Sequence, residues 1–106
     1  MRVLLDECIP RDLKKYLTGH DCLTAAEAGL AGKKNGALLA AIAGRFDVFV
    51  TVDKSLRFQQ NLKAITFSIV VLRAPGNRLE DLAPLSGATL AVMQTIRVGM
   101  VVEVGV

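Results

Sequence analysis

Two acidic positions in this 106-residue chain stand directly after short apolar runs. Val3, Leu4 and Leu5 lead into Asp6 and Glu7, and Val48, Phe49, Val50, Thr51 and Val52 lead into Asp53. Each run has the length and aliphatic or β-branched composition of a strand buried on both faces of a parallel sheet. Ligands of open α/β sheets gather beyond the carboxyl ends of the strands, so an acid at each tip is placed for chemistry. If the two strands are neighbours, Asp6 and Asp53 enter one crevice and repel, and a divalent cation relieves the repulsion. Mg²⁺ or Mn²⁺ suits such hard oxygen donors, taking a few carboxylates together with waters and substrate phosphates. The chemistry expected of the pair is metal-assisted hydrolysis of a phosphodiester. Thr51 and Ser55 flank Asp53 and can orient it or a water. Arg11, Lys33, Lys34, Lys54 and Arg57 fall in loops or first turns at the same end, where they can bind backbone phosphates without reading sequence.

An acid that ends a strand also serves as the cap of the next helix. The recurrence of the acid in one small domain brings the chemical reading level with the capping one. Glu7 should point away from Asp6, because successive strand side chains alternate, and is given a supporting role. Glu27, in the loop after the second strand, can reach the crevice or remain solvated. His20 reads as a turn residue, and Cys8 has no histidine beside it to make it a nucleophile. There is no GxGxxG, no phosphate loop and no Ser-His-Asp arrangement in a plausible context.

The elements that must position these residues follow from periodicity. Arg2–Leu5 is expected as the first strand, and a helix from Pro10 to about Thr18 repeats Ile9, Leu13, Tyr16 and Leu17 up to a cap at Gly19. His20–Thr24 reads as a second strand and Ala25–Gly36 as a loop. Asn35 can cap a second helix, Gly36–Gly44, which is apolar nearly all round and should be deeply buried. Val48–Val52 is the third strand, followed by a short helical segment through Gln59. Phe67–Leu72 is the fourth strand, Ala74–Arg78 a turn, and Leu79–Leu85 a short helix or turn broken by Pro84. Ser86 caps a last helix to about Ile96, and Met100–Val104 closes the sheet at an edge, where Glu103 interrupts the apolar run. Alternating strands and helices predict a single α/β domain over residues 1–106, with a mostly parallel sheet of about five strands and helices on both faces.

Composition sets the outer bounds. Apolar residues make up 52% of the chain and aromatic ones 5%, which points to an aliphatic core. No apolar run approaches the roughly 20 residues of a membrane span, and the N-terminal one is too short for a signal peptide. Cys8 and Cys22 form neither a CxxC pair nor a disulfide framework, so reduced thiols and a cytoplasmic location are expected. The net charge of +3 lies wholly within residues 1–63, the half that carries the acidic pair, and suits a polyanionic partner as well as an ordinary solvated surface. A mean hydropathy of +0.42 implies surplus apolar surface and hence an interface, either with a second copy or with another protein.

Several motifs together resemble a known family. D-E-x-x-P (Asp6, Glu7, Pro10), G-H-D (Gly19–Asp21), E-x-G-x-x-G-K-K-N-G (Glu27–Gly36), T-x-D-x-x-L-R-x-Q-Q-N-L (Thr51–Leu62) and N-R-L-x-D-L (Asn77–Leu82) look like the short PIN-like domains. These are relatives of the toxin ribonucleases of toxin–antitoxin pairs, and the likeness spans nearly the whole chain. It implies a PIN-like three-layer α/β/α fold, a cluster of acids binding Mg²⁺ or Mn²⁺, and cleavage of single-stranded RNA, with a cognate antitoxin or a homodimer as partner. Asp6 matches the first acidic position and Asp53 the acid after the third strand. Asn35 stands where many such sequences carry Asp, and Ala37 where this branch often carries Glu. Asn35 can offer a metal its carbonyl oxygen but no charge, so the resemblance also admits a domain that has lost catalysis and binds nucleic acid or protein. A flavodoxin-like or receiver-like domain accounts for strand-end acids too, but lacks a convincing lysine at the end of a late strand.

Overall fold

A computed structural model describes residues 1–33, 35–54 and 65–105, with Asn35 described by its backbone. The apolar runs form five strands: β1 Arg2–Leu5, β2 Asp21–Thr24, β3 Val48–Thr51, β4 Ser68–Arg73 and β5 Val101–Gly105. They pair in the order β2-β1-β3-β4-β5, every pair parallel. Val3, Leu4 and Leu5 lie opposite Val48, Phe49 and Val50, so the two strands that end in acids are hydrogen-bonded neighbours in register. The chain steps from β1 to one side and returns across it to β3, which makes the β1/β3 boundary the point where strand order reverses. Open α/β sheets bind their ligands at such a point.

Alternation of side chains divides the core in two. Val3, Leu5, Val48, Val50, Val70, Leu72 and Val104 face Ile9, Leu13 and Leu17 of the β1–β2 connection and Leu82 and Met93. Leu4, Phe49, Ile69 and Val71 face the helix α1, Asn35–Ile42, through Leu38, Leu39 and Ile42. Leu82 belongs to α2, Leu79–Leu82, and Met93 to α3, Ser86–Met93. The result is a sheet between two outer layers, the α/β/α arrangement expected from the alternation of strands and helices. Among the described residues no helix is long and apolar enough to cross a membrane.

Three expectations change in detail. The Pro10–Thr18 helix is a 3₁₀ helix over Arg11–Tyr16, with Leu13 N–H donating to the Pro10 carbonyl and Leu17 N–H to that of Lys14. At the rise of a 3₁₀ helix its six residues cover ~12 Å, close to the ~13 Å of the four-residue strand beside which the connection must return. Second, α1 is not deeply buried all round. Leu38, Leu39 and Ile42 are buried, whereas Gly36, Ala37, Ala40 and Ala43 are exposed, because an outer layer presents one face to the sheet and one to solvent. Gly44 ends the helix with φ +79°, a conformation in which a side chain is strained. Third, the last helix stops at Met93 rather than Ile96; Leu90 and Ile96 are half-buried beside the core. The helical segment expected after Asp53 lies largely outside the described residues.

Candidate active site at the β1/β3 boundary

Asp6 leaves β1 where its N–H still donates to the Val50 carbonyl of β3 at 2.9 Å. Its carboxylate is fixed from two sides. Oδ1 accepts the backbone N–H of Glu7 at 2.9 Å, and Oδ2 accepts the hydroxyl of Thr51 at 2.7 Å. The same hydroxyl accepts the backbone N–H of Asp53 at 3.1 Å. Thr51 is fully buried as the last residue of β3, and one side chain therefore ties the first acid to the loop that carries the second. Asp53 is exposed at the strand tip, with exposed Lys54 after it.

The half-buried thiol of Cys8 completes the surroundings of Asp6. Burial raises its pKa, and the carboxylate of Asp6 raises it further. It is therefore a protonated neighbour rather than a thiolate nucleophile.

The supporting positions divide. Glu7 turns away from the Asp6–Thr51 pair, and its Oε2 accepts the N–H of Gly32 at 3.2 Å, which anchors the loop after β2. Glu27 is held elsewhere. Its carboxylate takes Lys14 Nζ at 2.8 Å, Arg11 Nε at 3.5 Å and the Thr24 N–H at 2.9 Å. The Lys14 ammonium foremost, then the Thr24 N–H, lowers its pKa to about 2. Glu27 and Glu7 line a neighbouring cleft with Arg11 and Thr24. Arg11 is thereby engaged with a carboxylate, whereas Lys33 is exposed in the loop that leads to α1. The backbone of Asn35 opens α1 on the sheet face that carries Leu4 and Phe49. Lys34, Ser55 and Arg57 lie outside the described residues. Lys14, on the same 3₁₀ helix as Arg11, is the partner that decides the position of Glu27, and no local spacing signals it.

Asp6 fits a hard cation. The Glu7 N–H, the Thr51 hydroxyl and the Cys8 thiol all bond to its two oxygens, which between them offer about four acceptor positions, so capacity for a further contact remains. Asp53, exposed at the tip of the neighbouring strand, carries a second carboxylate of the same donor type. Among the described residues no three acidic, histidine or cysteine side chains converge on one point, so an ion here would complete its shell with water or substrate oxygens, a mode Mg²⁺ favours.

Comparison with models of known families, with curated proteins and with solved structures finds no match.

Proposed function

We propose that the chain is a metal-dependent endoribonuclease of the PIN-like toxin type, hydrolysing single-stranded RNA at the Asp6–Asp53 crevice. The observation that carries this reading is the Thr51 hydroxyl, shared between the Asp6 carboxylate and the Asp53 N–H at the strand-order reversal. Asp6 and Asp53 would hold Mg²⁺ or Mn²⁺, which when bound neutralises phosphodiester charge and supplies a water of lowered pKa. Thr51 keeps one Asp6 oxygen oriented by donating to it, and the Glu7 N–H fixes the other. Lys33 and Lys54, both exposed, can take RNA phosphates as point charges without reading bases.

The test is cleavage of a labelled single-stranded RNA with Mn²⁺ by the wild type, Asp6→Asn and Asp53→Asn. Cleavage that EDTA abolishes, and that each substitution lowers by ~10–100-fold or more, is expected. Intact RNA with the wild type, or undiminished cleavage in both variants, overturns the proposal.

A second reading, a PIN-like domain that binds without cleaving, is favoured by the retention of Glu27 on Lys14 and Arg11 and by the lack of any convergence of three acidic, histidine or cysteine side chains among the described residues. It expects RNA or a protein partner to bind equally with and without Mn²⁺.

A further inference from the structure

A second concave site opens at the opposite end of the strands, where β1, β2 and β3 begin. This cavity, of about 720 Å³, lies along β2 and within the size range of small-molecule sites. Its wall sets Arg2, Lys14, Arg45 and His20 against a single carboxylate, Asp21, with Leu23 as its exposed apolar side. Arg2 and Lys14 already lean on carboxylates behind the wall, Asp47 at 3.8 Å and Glu27 at 2.8 Å.

Arg45 differs from both. Its Nη2 donates to the Ala28 carbonyl at 3.2 Å, and its guanidinium carbon lies 5.4 Å from the centroid of the Phe46 ring. Among the described residues no carboxylate pairs with it. A guanidinium has five N–H donors in a planar fork that matches a phosphate, and this one is held in place before any ligand arrives. Lys14, Arg2 and His20 add donors around it.

We propose that this cavity binds a phosphate monoester with an apolar body of nucleotide size, its phosphate on Arg45 and its body against Leu23 and Cys22. The site is separate from the acidic crevice, so its failure and that of the ribonuclease reading are distinguishable.

Calorimetric titration of the full chain with phenyl phosphate, and in parallel with inorganic phosphate, tests it. Saturable one-to-one binding of phenyl phosphate is expected, at least about tenfold tighter than inorganic phosphate because the ring buries apolar surface. Arg45→Gln should weaken it about tenfold or more through loss of the charged donors, whereas Asp6→Asn should leave it unchanged. Arg45 is exposed, and thermal melting checks the fold of its variant; if that variant does not fold, Arg45→Lys, which keeps the positive charge and loses the planar fork, carries the same test. Absence of saturable binding, wild-type affinity in the substituted chain, or equal affinity for the two probes overturns the proposal.

Discussion

Thr51 shows how much one buried hydroxyl can organise. Thr51→Val keeps the shape and the strand propensity but removes the donor to Asp6 and the acceptor of the Asp53 N–H. The expected loss is about 1–3 kcal/mol, seen in urea unfolding, with Thr51→Ser retaining most of the wild-type value. The same substitution should lower RNA cleavage under the proposed function, because Asp6 loses the contact that orients it. Glu27 makes the complementary point at the surface. Its pKa is held at about 2 rather than the ordinary 4.5, chiefly by Lys14, so between these values the folded chain binds fewer protons than the unfolded one. The contribution of this carboxylate is therefore complete above pH 4.5 and falls away as pH drops towards 2. In an acid titration of stability, the wild type should decline more steeply than Glu27→Gln across that window. The difference should shrink in high salt, as expected of an exposed pair.

At the scale of elements, α1 is the instructive case. A run from Leu38 to Ala43 without a polar residue has no amphipathic signal, and the face that meets the sheet is legible mainly from size: Leu38, Leu39 and Ile42 go in with Ala41 half-buried beside them, and Ala40 and Ala43 stay out. Ile42→Ala should cost about 2–5 kcal/mol through the cavity it leaves, whereas Ala40→Lys should change stability by no more than about 0.5 kcal/mol, both measured by chemical denaturation. The strands were readable because β-branched runs such as Val48–Thr51 and Ser68–Arg73 are buried on both faces, so no alternation was needed to find them. The β1–β2 connection was readable in its anchors, Ile9, Leu13 and Leu17, but not in its 3₁₀ winding, which depends on the distance to be covered. The two acids could be placed at strand tips from sequence; the Thr51 bridge between them needed the pairing of β1 with β3, a contact between residues 45 apart in the chain. Nor does local sequence show that Glu27 meets Lys14, since the two sit on different elements.

For the whole molecule, the sheet separates two cores that share no side chain among the described residues. Ile9 lies in one and Ile42 in the other. Ile9→Val and Ile42→Val should each cost about 0.5–1.5 kcal/mol, and the double variant should cost their sum to within about 0.5 kcal/mol while still unfolding in a single transition. A double-mutant cycle in urea measures this, and a marked departure would mean that strain passes through the sheet from one layer to the other.

The outer side of β2 has a consequence at the same scale. Thr24, the last residue of that border strand, has its N–H taken by Glu27 and its carbonyl by the N–H of Ala28. Incoming backbone therefore finds no ladder to extend at that corner. A strand added along β2 would therefore lose its pairing at Thr24 and could not run on past the end of the sheet there.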